Sequence, residues 1–266
     1  MSKASTWVRE LAAWGLDEDE YRPAKYCGDV DTARALLSRR PSFDAESAMV
    51  ECASSTLQTG FAEHALRADL RAEMAGLAWS LGVVDLRKLI AFQRRITLVP
   101  AASESSLPAA DDWDSLMQLC FAEPKVVACD VTHASGSLVL RSGNPNLQAR
   151  ITGNAASLVS VHTGSPFFEV AEYRGRWFLR DGYHRAYHCL RDGVFHLPAV
   201  IVHAGTLAEL GAVHPWFFPE AVLLSATPPR VIDFLDDALV IQYARLPLIK
   251  TIRITVEEAY TLEGEA

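Results

Sequence analysis

The sequence predicts a mixed α/β protein of the α+β kind: a compact mixed-sheet domain, preceded by a helical region and followed by a C-terminal extension. Three observations carry that prediction. Apolar residues recur at helical spacing through the first 80 positions. From Gly82 the texture changes to short β-rich runs separated by Gly, Ser, Asn and Pro. Between Phe168 and Val202 a hairpin, a helix and a strand follow one another at the spacing of a single supersecondary unit. The expected divisions are 1–80, 81–210 and 211–266, the last packing on the core.

In the first division Trp7, Leu11 and Trp14 stand at helical spacing, with Gly15 as a stop. Asp31 is expected to cap a short helix carrying Ala33, Leu36 and Leu37 before Pro41. Leu66, Leu70, Met74, Leu77 and Leu81 form one stripe, with Arg67, Asp69, Arg71 and Glu73 outside it. Such a stripe normally packs on the rest of its own protein, the alternative being a partner helix.

After Gly82, Val83 to Leu86 reads as a strand and Leu89, Ile90 and Phe92 as one face of a helix. The Ala-, Ser- and Pro-rich run from Pro100 to Ala110 is the candidate mobile segment. Asp112 should cap a helix through Leu116, Met117 and Leu119, and Lys125 to Val131 and Leu138 to Arg141 read as strands. Phe168 to Tyr173 and Arg176 to Leu179 then form a hairpin about Arg174-Gly175. Tyr183, Ala186, Tyr187, Leu190 and Val194 trace an amphipathic helix that Gly193 can end. Leu197 to Val202 is a strand, with its proline near the start, where the missing N–H is tolerated. A short helix near Val231 to Leu239 and a strand over Ile249 to Val256 complete the reading.

Half of the 266 residues are hydrophobic and the net charge is -8, so nothing suggests the basic face that duplex binding needs. No stretch has the length of an apolar membrane span, and Met1 to Trp7 lacks the run of a signal peptide, so the expectation is a cytoplasmic protein without a membrane partner. The five cysteines are scattered with no CxxC pair, which favours reduced, buried thiols over a zinc ribbon or a dithiol redox site.

Chemistry concentrates at Asp181-Gly182-Tyr183-His184-Arg185. A strand ends there and a helix begins. Asp181 is a good N-cap type, and Gly182 permits a sharp turn and close approach of a ligand. The first N–H groups of a helix have no internal partners and lie at its positive end, which suits phosphate. Arg185 in the first turn can add a fork of donors, and His184 a hydrogen bond or a proton. The alternative is structural: Asp181 only caps, and Arg185 pairs with a carboxylate such as Asp192 or Glu172. His184 and His188 have the i, i+4 spacing of zinc helices, but Arg185 stands where the glutamate of HExxH belongs, so no metal site is assigned.

At these residues the sequence resembles the ParB/sulfiredoxin-like superfamily. The resembling stretch runs from Phe178 to His188, with Gly193 and the strand Leu197 to Val202. It is similar to a strand, a G-x-[HR]-R turn, a helix, a glycine and a strand beginning (I/V)P, in the D-G-x-H-R version of free-serine kinases. Similarity is good over Gly164 to His203 and weaker at Val83 to Arg95. The resemblance implies that Gly182, His184 and Arg185 contact nucleotide phosphates, with Asp181 shaping or joining the site. The nucleotide would be ATP, ADP or CTP, with Mg²⁺ as its companion. Sulfiredoxins carry a catalytic cysteine where this chain has Tyr183, and partition clamps add a helix-turn-helix that is not evident after Val202. Two functions stay open. One is a phosphotransferase or nucleotide hydrolase acting on a small molecule or protein hydroxyl, with His184 assisting and Glu169 or Glu172 as base, Asp85 and Asp111-Asp112-Asp114 being further candidates. The other is a non-catalytic nucleotide-binding regulatory module; ParB-type DNA binding ranks below both.

Overall fold

Strand β1 (Thr6–Leu11) occupies the place where helical spacing predicts a helix, and its neighbours explain why. It lies between β5 (Arg95–Leu98) and β13 (Val240–Arg245), antiparallel to both, so its backbone is satisfied on either side. The Trp7, Leu11 and Trp14 spacing is equally open to a strand and its turn, and long-range pairing decides between them. The structure, a computed structural model, describes residues 5–98, 107–123, 128–134, 136–144, 147–154, 157–162, 164–255 and 257.

Other expectations of the first division are also revised. The cap of α1 (Val30–Leu37) is Asp29, whose carboxylate accepts the Asp31 N–H, so Asp31 itself lies in the first turn. Helices α2 (Ser55–His64) and α3 (Ala68–Glu73) follow a two-residue strand, β2 (Met49–Val50). The long stripe from Leu66 to Leu81 is split: α3 ends at Glu73, Gly76 turns with φ 81°, and β3 (Trp79–Asp85) takes the rest. Instead of a helix, Leu89 follows a 3-10 turn at Leu86–Lys88 in extended conformation, Ile90 opens a short strand β4 (Ile90–Ala91), and Phe92 follows it. Helix α4 (Trp113–Cys120) is capped by Asp112, which accepts the Ser115 N–H at 3.1 Å, as expected. The candidate mobile segment lies mostly outside the described residues.

The hairpin, helix and strand unit forms as predicted. Strands β10 (Glu169–Tyr173) and β11 (Arg176–Asp181) pair antiparallel, turning through Arg174 and Gly175, both at positive φ. Helix α5 (Tyr183–Arg191) returns the chain to β12 (His196–Ala204), which runs parallel to β10. These strands are the centre of a six-stranded sheet in the order β2-β3-β12-β10-β11-β4. Its core is built from Phe168, Phe178, Ala186, Leu190, Val200 and Ile201, all buried. Two short helices, α6 (Leu207–Leu210) and α7 (Glu220–Leu223), and a 3-10 turn at Val231–Leu235 lead to β13.

The chain divides into two compact units, 1–123 with 165–246, and 124–164 with 247–266. The expected boundaries at 80 and 210 are not where it divides, because the first and last strands of the larger unit, β1 and β13, pair with each other. In the smaller unit β6 (Asp130–Ala134), β7 (Ser137–Ser142) and β14 (Lys250–Thr255) form a sheet in the order β14-β7-β6, and β8 (Gln148–Asn154) pairs with β9 (Ser157–His162). The fold class is therefore mixed α/β, and among the described residues no helix is long and apolar enough to cross a membrane.

Burying β1 on both faces brings Glu10 inside, where its carboxylate needs partners. Arg22 supplies two bonds at 2.7 and 3.0 Å, Arg95 approaches to 2.9 Å, and the Tyr243 hydroxyl donates at 3.1 Å. Removing one member of such a buried cluster strands the others. Glu10→Ala is expected to cost about 3 kcal/mol in denaturant unfolding, by the same reasoning. A loss below about 1 kcal/mol, the range of a surface ion pair, would show that the cluster does not hold β1.

Candidate functional site

Backbone geometry builds the site first. Strand β11 ends at Asp181, and Gly182, at φ 99° and ψ 21°, is the N-cap of α5. The expected cap was Asp181, but the left-handed turn must fall on a residue without Cβ. A Cβ on Gly182 would stand 2.5 Å from the Phe168 ring, so the close approach at this glycine is made by Phe168. The first intrahelical bond runs from Ala186 N–H to Gly182 O at 2.9 Å, which leaves the N–H groups of Tyr183, His184 and Arg185 ahead of the ladder.

Each side chain of the motif has a defined place. Tyr183 is buried; its hydroxyl donates to Leu179 O at 2.9 Å and accepts from the N–H groups of Phe92 and Gln93 at 3.0 and 3.2 Å. Those bonds tie the motif to the segment after β4, and burial pushes the phenol well above its usual pKa. His184 lies at the surface with Nε2 2.7 Å from Thr97 O. A carbonyl only accepts, so Nε2 carries the proton and Nδ1 of the neutral ring has a free lone pair. The desolvating surroundings hold this histidine below its ordinary pKa, against the opposing pull of the Thr97 carbonyl.

Arg185 does not project as a free fork. Nη1 donates to Pro166 O at 2.8 Å and Leu119 O at 3.2 Å, and Nη2 donates to Phe167 O at 2.6 Å. Its guanidinium lies over the Phe168 ring and 3.8 Å from Asp181. The carboxylate it approaches is thus Asp181. Asp192 pairs with Arg191 at 2.7 Å and Glu172 with His203 at 3.3 Å. Asp181 also receives the N–H groups of Gly182 and Ser165, yet burial outweighs these and Arg185 and raises its pKa.

Glu169 and Glu172, two candidate bases only three residues apart, part company. Glu172 is half exposed, and His203, its direct register partner on β12, bonds onward to Ser80 Oγ at 3.0 Å. That polar row follows from strand pairing and leads away from the turn. Glu169 sits opposite Asp181 at a bulge, where the pairing of Val170 with Leu179 is followed by that of Glu169 with Asp181, and Arg180 is left over. The bulge lets Arg180 reach back to Glu169 at 2.9 Å. Glu169 is 4% exposed, and its Oε1 is buried with no hydrogen bond of acceptable geometry. Burial pushes its carboxyl up to about 7, with the charges of Asp181 and Glu73 adding to burial and Arg180 and the Ser165 hydroxyl opposing it. A carboxyl that titrates near neutrality can take or give a proton, which an exposed glutamate cannot do as readily at that pH.

Asp85 and Asp112 have structural roles. Asp85 is held by Arg87 at 2.8 and 2.9 Å; burial alone would raise it, but that partner keeps it low. Asp112 caps α4. Cys120 and Cys189 are buried and burial raises both thiols, Cys189 to about 11, so neither is a ready thiolate. Among the described residues no group of three or more His, Cys, Asp or Glu is placed to hold a metal ion. Sequence reading missed Arg180, Ser165 and Thr97; hairpin register points to Arg180, whereas Ser165 and Thr97 contribute through long-range packing alone. No family model, no curated protein and no solved structure matches this chain.

The raised carboxyl makes stability depend on pH in a stated direction. The folded state holds the Glu169 proton more tightly than the unfolded chain, whose value is near 4.5, so its stabilisation is complete below 4.5 and lost as pH rises to about 7. The gap corresponds to on the order of 3 kcal/mol. Glu169→Gln mimics the protonated form. It should match wild type in unfolding free energy near pH 4.5 and exceed it at pH 8, whereas parallel pH profiles would contradict the assignment.

Proposed function

We propose that the chain binds a nucleotide by its phosphates at the amino end of α5, and acts as a phosphotransferase or nucleotide hydrolase on a small-molecule or protein hydroxyl. The observation that carries this reading is the set of N–H groups of Tyr183, His184 and Arg185, ahead of the first intrahelical bond at a turn formed by Gly182. The likeness of the motif to ParB/sulfiredoxin-like proteins supports it. His184 offers a lone pair or, protonated, a donor at the edge of that turn, and Glu169 is the base. Arg185 has a different part from the one expected of it: it braces the turn through three carbonyls and lends its charge from behind. Were Mg²⁺ to accompany the nucleotide, Asp181 is the carboxylate at the turn that would help hold it, and the ion would supply charge neutralisation at the phosphates.

One observation favours a second reading, a nucleotide-binding regulatory module without turnover. The donors of Arg185 are engaged by backbone carbonyls, so the positive charge that would settle on a transferred phosphoryl group is already committed.

The test is a panel of ATP, ADP, CTP and GTP, with and without Mg²⁺, read by thermal shift, calorimetry and product analysis. One nucleotide should stabilise the protein in proportion to its occupancy and, at acid pH where Nδ1 of His184 is protonated and can donate, bind roughly tenfold more weakly to His184→Ala, the loss of one charge-assisted hydrogen bond. Product formation that Glu169→Gln abolishes while binding persists identifies the enzyme; binding without turnover identifies the module. No stabilisation by any nucleotide would sink the reading. Arg185→Ala is unsuitable for this purpose because it removes a brace of the fold.

A further inference from the structure

A cavity of about 380 Å³ lies in the larger unit, apart from the motif residues. Four basic residues line it: Arg40 after α1, Arg87 and Lys88 from the 3-10 turn at Leu86–Lys88, and Arg230 ahead of the turn at Val231–Leu235. Phe43, Pro41 and Pro228 give it an apolar wall. Its volume falls in the range of small-molecule sites, which combine such a wall with a few placed polar groups.

The four cations are not equally committed. Arg40 is locked, holding both oxygens of the buried Asp233 at 2.6 and 2.8 Å. Asp233 also accepts the Arg230 N–H at 2.8 Å. Its acceptors are then largely used, and the Arg230 guanidinium is left with a contact of 3.5 Å to the same carboxylate. The Nε of Arg230 is buried without a hydrogen-bond partner, while the side chain as a whole is 35% exposed. Lys88 donates to Ser47 O at 3.1 Å and pairs with the exposed Glu46 at 2.8 Å, the latter a bond that water screens and a ligand can displace. Arg87 uses Nε and Nη2 on Asp85 and lies over the Phe195 ring. Asp44 and Glu46 also line the cavity, so a large polyanion is disfavoured. The under-used guanidinium and the displaceable ammonium favour one compact dianionic group, and the ring and prolines favour an apolar body attached to it.

We propose that this cavity binds a small organic phosphate, its phosphoryl oxygens on Arg230 and Lys88 and its apolar body against Phe43 and Pro228. The inference is independent of the site at α5. Arg230 supplies the fork that a phosphate monoester matches, and Lys88 a point charge beside it.

Phenyl phosphate, inorganic phosphate and phenol are the probes, titrated into the whole protein by calorimetry. Phenyl phosphate is expected to bind saturably and more tightly than inorganic phosphate, with phenol silent. Arg230→Gln and Lys88→Gln should each weaken phenyl phosphate by roughly tenfold, the worth of one charge-assisted hydrogen bond. His184→Ala should leave it unchanged, which separates this cavity from the α5 site. Circular dichroism and thermal unfolding check that each variant keeps its fold; Lys88, on the surface, serves if Arg230→Gln does not fold. No saturable binding, or binding that both cavity variants retain in full, overturns the proposal. Binding lost in His184→Ala alone overturns it as well, and moves the phosphate to α5.

Discussion

The Arg185 guanidinium joins three parts of the chain that lie far apart in the sequence: the end of α4 through Leu119, the segment entering β10 through Pro166 and Phe167, and the first turn of α5. Carbonyl oxygens in such places lack ladder partners, and leaving them buried and unpaired costs about 1–3 kcal/mol each. A cation with donors in a fixed plane can satisfy several at once. Around that brace the rest of the turn follows. Phe168 packs into the space a Cβ would take at Gly182, Tyr183 ties the motif to Phe92 and Gln93, and Asp181 rests against Arg185.

The same packing sets the electrostatics. Glu169 and Asp181 are register partners, and burial raises both from their ordinary values, Glu169 to about 7. Two ionised carboxylates beside a helix terminus would repel a phosphate, but a Glu169 that is partly protonated near neutrality weakens that repulsion. In the proposed function, the property that suits Glu169 to act as a base would therefore also keep the turn open to an anion.

How much of this was legible in the sequence depends on the range of the interaction. The unit from Phe168 to Val202 was read correctly because its hairpin turn, helix spacing and closing glycine are all local signals. The opening strand was not, because Trp7, Leu11 and Trp14 fit a helix locally and only pairing with residues 95–98 and 240–245 puts Trp7 and Leu11 in a strand. At the site, the Gly182 turn followed from residue type, although the cap fell one residue later than expected. The role of Arg185 did not follow: its partners at Leu119, Pro166 and Phe167 are backbone carbonyls, and nothing in a residue's identity announces a carbonyl left unpaired by the fold. Glu169 and Glu172 look alike in sequence, and a single bulge at Arg180 gives them different surroundings.

The central claim is that the amide groups at the start of α5 receive the phosphate while Arg185 stays on its carbonyls. Amide proton and nitrogen shifts during a nucleotide titration test it most directly. The account predicts saturable shifts of the Tyr183, His184 and Arg185 backbone amides, toward the stronger hydrogen bonding a phosphate oxygen provides. Shifts confined to residues remote from Gly182, with those three amides unmoved at saturation, would contradict it.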